Sequence, residues 1–222
     1  MASDKSANLL KNSLVSLPQL FGAVFIPSLM AAVGLGLASA APDGGPVFYL
    51  ATFAVAALYF IVWGIWGRRR PLIDESQFWP DATRGFCIGV GLLILFIAGA
   101  FFIKFIPPLA TPVNALLDNA RYGALWITIL TTAINGVGEE IFFRRIIPDY
   151  LPGRWLYRIL VSLVIYIAVT AAMGVPLLAL AAIAVGLPAA FEERRTGSLV
   201  SPVVLHLSWS LSMLLILPLI IH

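Results

Sequence analysis

The chain has 222 residues, 60% of them apolar and 11% charged, with a formal net charge of +3. A soluble domain carries roughly a quarter charged residues, so this composition excludes a water-covered globular protein and points to an integral membrane protein. The positive balance is not a nucleic-acid signal, because Lys and Arg sit in short stretches between apolar runs.

A bilayer crossing needs roughly 20 mostly apolar residues. In chain order the sequence predicts seven, over about 17–40, 46–66, 86–107, 122–141, 157–173, 175–191 and 200–221. The first follows Lys5 and Lys11 and ends in Ala38-Ser39-Ala40, which resembles a signal peptide with its cleavage site. Its apolar run is longer than a signal core of about 7–15 residues, so it reads as a retained helix. Residues 71–85 read as a polar loop, and 107–121, with Pro107, Pro108 and Pro112, as irregular or interfacial. The fifth and sixth spans are short and parted only by Gly174, either two thin helices around a tight turn or a partly re-entrant pair. The single cysteine, Cys87, lies in an apolar run and reads as a packed or lipid-facing residue without a disulfide framework. Trp63, Trp66, Trp79 and Trp155 stand near span ends and read as interface anchors. No internal repeat is visible.

Orientation follows from Lys and Arg. With the N-terminus in the cytoplasm, Lys5, Lys11, Arg68, Arg69, Arg70, Arg84, Arg144, Arg145, Arg154, Arg158, Arg194 and Arg195 all fall on the cytoplasmic side. The 41–45 loop, the 108–121 segment, the 173–176 turn and His222 fall outside. The exceptions among the 14 basic residues are Arg121 and Lys104, and Lys104 can snorkel toward the outer surface. The expected location is a bacterial inner membrane.

The costly charges are Glu139 and Glu140, at the end of the fourth span. A carboxylate at membrane depth costs several kcal/mol unless it is paired or faces a wet cavity. On a helix Glu140 and Arg144 share a face, four residues apart and in the favourable order for an ion pair. Glu139 projects about 100° away and is free to face another group. Gly136 and Gly138 allow a neighbouring helix to approach closely. An interfacial cluster of Glu and Arg that anchors a helix end explains the same residues as well. His206, inside the last run with Ser210 one turn on, is either a functional group or one interhelical hydrogen bond. Glu192-Glu193-Arg194-Arg195-Thr196-Gly197-Ser198 reads as a charged turn, with Thr196 or Ser198 capping the helix that follows.

Together these residues resemble the CPBP family of intramembrane proteases, the Rce1-like CAAX-processing and bacteriocin-processing enzymes. The EExxxR motif is matched in full by Glu139, Glu140 and Arg144. The third motif, a helix carrying HxxxN after an E-R-T-G-S-L-like segment and a Pro, is matched by Glu193 to Leu199, Pro202 and His206, with Ser210 at the Asn position. The second motif, FxxxH, corresponds to Tyr166 through Thr170, where Tyr166 stands for the aromatic residue and Thr170 for the histidine. The resemblance covers roughly 125–215, dividing the membrane domain of 1–222 into N-terminal helices of unassigned role (1–121) and a CPBP-like core (122–221).

The resemblance implies an all-α helical bundle and a glutamic endopeptidase acting on a membrane-associated peptide or protein. Glu139 would then activate a water, Arg144 would hold Glu140, and His206 with Ser210 would donate to the oxyanion. The chemistry is coherent: a dry site makes a carboxylate a better base, and fixed donors there stabilise developing charge. Thr170 can position a water but cannot take a proton near neutral pH. A general acid–base His contributes about 10²–10⁴ in rate, so its replacement weakens the expectation of a strong protease. One His and two Glu make a poor tetrahedral zinc set, and no metal, cofactor or nucleic-acid partner is expected. The alternative is a family member that kept the fold and lost the chemistry, serving as a binding or structural subunit of a membrane complex. Its cavity would be closed, or filled by Phe142, Tyr166 or lipid. A small transporter is a third reading, for which the sequence offers no inverted repeat.

Overall fold

The computed structural model describes residues 15–67 and 71–221. Lys5, Lys11, Arg68, Arg69, Arg70 and His222, used in the orientation reading, lie outside the described residues.

The described chain is helical and has no strand. Helix α1 is Leu17–Ser39, opened by reciprocal Ser16 and Gln19 capping bonds and widened by a π-helical turn at Phe21–Phe25. Next come α2, Pro46–Trp66, α3, Phe78–Ile103, and α4, Pro107–Tyr122. Helix α5, Leu125–Ile141, runs on through a π-helical turn, Phe142–Ile146, into the short α6, Ile147–Tyr150. The last three are α7, Trp155–Ala171, α8, Pro176–Thr196, and α9, Val200–Ile216. Prolines in the first turns of α2, α4 and α8 sit where a missing N–H costs nothing. Gly174 takes a φ of 70°, a left-handed conformation that glycine adopts freely, and so turns the chain between α7 and α8. The pair is therefore two helices around a tight turn.

Among the described residues, five segments are long and apolar enough to cross a membrane: Leu17–Ser39, Pro46–Trp66, Glu75–Ile103, Pro176–Thr196 and Val200–Leu219. Helices α5 and α7, at 17 residues each, are shorter, so the seven expected crossings stand at five by this measure. Side chains such as Leu50, Ile94, Leu95 and Phe102 are exposed on the outside of the bundle, which is the surface a lipid solvent requires and an aqueous one would penalise.

The loops sort to two ends. At one, Gly44 N donates to Asn119 Oδ1 (2.9 Å), Ser39 Oγ to the Met173 carbonyl (2.6 Å), and Arg121 to the carbonyls of Pro218 and Ile221. At the other, Tyr150 Oη donates to the Trp66 carbonyl (2.9 Å) and Leu199 N to the Leu72 carbonyl (2.8 Å). There Arg145 pairs with Glu193 at 2.8 Å and donates to the carbonyls of Pro71 and Gly197. Leu199, and neither Thr196 nor Ser198, is the N-cap of α9 and makes no side-chain cap bond, while Ser198 Oγ accepts from Val200 N at 3.1 Å in a local turn before it.

The segment 71–85, expected as a loop, is helical from Glu75 onward, and 107–121, expected as irregular or interfacial, is a regular helix. Within 71–85, a short 3₁₀ turn at Glu75–Gln77 is capped by Asp74, which accepts from Ser76 N at 3.0 Å, and α3 then starts at Phe78. The polar residues that suggested a loop are absorbed by tertiary contacts: Arg84 lies 3.7 Å from Asp81 and 3.5 Å from Glu192, and Ser201 Oγ donates to Glu192 at 2.7 Å. Within 107–121, Pro107 and Pro108 occupy the helix start, where proline is tolerated, and only Pro112 lies inside α4. The fourth span also does not stop at 141, because α5 continues to Tyr150 and carries Arg144 and Arg145 inward.

Two apolar clusters form the interior. One gathers Tyr59, Phe142, Phe143, Leu163 and Tyr166, and the other Val185, Leu205, Trp209 and Met213. Helices α3 and α9 meet closely because Gly85 and Gly89 present no side chain: a Cβ at Gly85 would collide with the Ser201 backbone, and one at Gly89 with Ser208.

Candidate active site

The site lies where the two clusters meet, with Tyr166 from the first and Leu205 and Trp209 flanking His206 from the second. Helix α5 supplies Glu139 and Glu140 in its last turn. Gly136, on the same helix, lies against Leu207 and His206, and Gly138 against the Tyr59 ring. The absence of side chains at these two points lets α9 and α2 pack directly on α5. Immediately beyond, the π-helical turn narrows the angle between successive side chains, and Arg144 and Arg145 both end up buried.

Glu140 is completely buried. Its Oε2 lies 3.1 Å from Arg144 Nε, Arg144 Nη2 donates to Oε1 at 3.4 Å, and Oε1 is 2.8 Å from His206 Nδ1. A carboxylate only accepts, so Nδ1 carries the hydrogen in this contact. Burying a lone carboxylate is prohibitive, and a guanidinium plus an imidazole on its two oxygens offset that cost. The Arg144 guanidinium also stands 5.1 Å from the centre of the Tyr166 ring. Glu140 is thus a structural anchor that fixes the ring of His206 and, through it, the position of Nε2.

Glu139 points elsewhere. Its Oε2 accepts a 2.8 Å hydrogen bond from Tyr166 Oη and lies 3.8 Å from His206 Nε2. A gap of 3.8 Å is too long for a direct hydrogen bond and of the size a bridging water fills. Glu139, Tyr166, Thr170, His206 and Ser210 all line one cavity of about 300 Å³. The cavity is walled mostly by apolar side chains and runs from Glu139 to the bundle end formed by Asn119, Met173 and Ile221. Phe142 is not in its wall, being buried against Tyr59 with ring centres 4.9 Å apart.

The structure therefore brings Glu139, Glu140, Arg144 and His206 into direct contact, and sets Thr170 and Ser210 on the shared cavity. Tyr166, read from sequence as an aromatic stand-in, contributes its hydroxyl to Glu139. Three neighbours went unread: Asn135, one turn before Glu139 on the cavity wall, and Thr52 and Tyr59 from α2. Asn135 had a readable signal, since residues four apart share a helix face. Thr52 and Tyr59 had none, because they reach the site through tertiary packing alone. No group of three or more His, Cys, Asp or Glu is arranged to hold a metal ion among the described residues.

A helical membrane bundle with a carboxylate and a histidine on an internal cavity, and a buried carboxylate–arginine pair behind them, is the class of protein in hand. Residues 121–212 match the family model for type II CAAX prenyl endopeptidase Rce1-like proteins. The matched segment coincides with the part of the chain, roughly 125–215, whose motifs resemble the CPBP family. No curated protein and no solved structure matches the chain.

Proposed function

We propose that the protein is an intramembrane endopeptidase of the glutamic type, acting on a membrane-associated peptide or protein. The observation that carries this reading is Glu139 itself, a carboxylate on the wall of an apolar cavity, held through one oxygen by Tyr166. The other oxygen, Oε1, is left for a water. Glu139 takes a proton from that water as it attacks a peptide carbonyl, and a fixed carboxylate at this range is the geometry general base catalysis needs. The Ser210 hydroxyl supplies a donor toward the developing oxyanion, and His206 Nε2, oriented through Glu140, supplies a second when the ring is protonated on both nitrogens. Thr170, also on the cavity, helps hold the water. Arg144 acts only through Glu140.

A catalytically inactive family member, serving as a binding or structural subunit, is the second reading. Thr170 at the place of the family histidine favours it. The test is Glu139→Gln in the native host, compared with a clean deletion, with membrane levels of the protein measured alongside. Gln keeps size and the acceptor for Tyr166 but cannot take a proton. Normal accumulation with the deletion phenotype supports the protease. Wild-type behaviour at normal levels removes it and leaves the subunit.

A further inference from the structure

Asn135 has a polar end whose use is fixed by its surroundings. Its Nδ2 donates to the Thr131 carbonyl of its own helix (2.9 Å) and to the Thr52 carbonyl of α2 (3.1 Å). Both amide hydrogens are spent, and since carbonyls demand donors the amide cannot be flipped. The Oδ1 atom is buried and has no hydrogen-bond partner. A buried acceptor left unmade costs about 1–3 kcal/mol, so a ligand or water that supplies a donor there gains accordingly.

The residue lines the apolar cavity one helical turn from Glu139. Helix α9 runs antiparallel beside α5: Gly136 lies against His206 and Leu207, while Arg121, just before α5, reaches the carbonyls beyond the end of α9. Ser210, on the same cavity, therefore stands one turn beyond His206 on the facing helix, and its Oγ is likewise buried without a partner. An apolar cavity lined by an acceptor pinned in one orientation and by an unpartnered hydroxyl suits an apolar chain bearing an amide.

We propose that Asn135 is a substrate-positioning residue whose Oδ1 accepts the N–H of an amide group carried into the cavity on an apolar chain. This deepens the protease reading, because the peptide bond presented to Glu139 is flanked by such N–H groups. It also assigns α2 a part in the site, since the Thr52 carbonyl is half of what aims Asn135.

The experiment compares two probes that differ only in N–H against O: brominated N-hexyl decanamide and the matching hexyl decanoate. Bromine quenches tryptophan, and Trp209 lines the cavity, so quenching reads occupancy and a Trp209→Phe control locates it. With the full chain in detergent, the amide is expected to bind about tenfold more tightly than the ester. In Asn135→Leu that ratio falls to about one while ester binding is unchanged, and Asn135→Ser does the same if the Leu variant does not accumulate. Equal binding of amide and ester by the unaltered protein overturns the proposal, as does a preference that survives in the Asn135 variants. The outcome is separable from the protease question. An amide preference without processing keeps Asn135 and discards proteolysis, whereas processing without an amide preference does the reverse.

Discussion

Removing the guanidinium of Arg144 leaves Glu140, wholly buried, with His206 as its only close polar partner among the described residues. Breaking a buried ion pair from one side costs about 3–5 kcal/mol, whereas replacing both partners with apolar groups of similar volume is far less costly. Arg144→Met is therefore expected to lower thermal stability in detergent by that amount, and the double variant with Glu140→Leu to recover a good part of it. No recovery would mean that Arg144 stabilises through Tyr166 or the second apolar cluster instead. Tyr166→Phe keeps the ring and its contact with Phe143 but removes the 2.8 Å bond to Glu139. A hydrogen bond to a charged group contributes about 1.5–3 kcal/mol, so processing is expected to fall at least tenfold in the host assay at unchanged protein level. Undiminished processing would show that Glu139 needs no such tether. The Glu140–Arg144 contact was legible in the sequence because both residues lie on one helix, where spacing fixes their relation. The contacts Tyr166–Glu139 and His206–Glu140 span 27 and 66 residues and join different helices. Only the family resemblance grouped those residues, and it did not tell which atom meets which.

At the level of elements, α3 and α9 test how far small residues determine packing. Gly89→Leu is expected to drive α3 away from Ser208 and the Leu205 carbonyl, reducing membrane accumulation and thermal stability by several degrees. Gly91→Leu, on the same helix with open space around the position, is expected to be tolerated. Similar losses from both changes would indicate a propensity effect and not a close approach. The helices themselves were legible where apolar runs were long. Residues 71–85 and 107–121 misled because polar and proline-rich local composition usually marks loops. Here Arg84 stands near both Asp81 and Glu192, between α3 and α8, and Pro107 and Pro108 fall in the first turn of α4, which accepts them, while Pro112 lies inside the helix. The extension of α5 through its π-helical turn was hidden for a related reason. Two arginines at the end of an apolar run look like a solvated end, yet both are buried, Arg144 against Glu140 and Arg145 against Glu193.

For the whole molecule, the apolar composition sufficed to identify a membrane bundle, and the loop pattern sufficed to group the ends correctly. Residues 39–44, 119–123, 173 and 218–221 do meet at one end, and residues 66, 71–72, 145–150 and 193–199 at the other. Which end faces the cytoplasm is expected from the Arg-rich side. In a Cys87→Ser background, an impermeant maleimide added to intact cells is expected to label Asp43→Cys and to reach Arg195→Cys only after permeabilisation. Labelling of Arg195→Cys in intact cells would invert the orientation.

The location of Glu140 and Arg144 on a single helix also bears on how the protein is made. Partners four residues apart can meet as soon as that helix forms, before any neighbour has arrived. The pair then crosses from translocation channel to lipid as one nearly neutral unit, avoiding the penalty two separate charges would meet. His206 belongs to α9, which is synthesised after α5. The nascent chain thus carries Glu139 and Glu140 into the bilayer with no imidazole beside them. The candidate site becomes complete only when α9 docks, so its acidic and imidazole halves stay apart until the bundle closes.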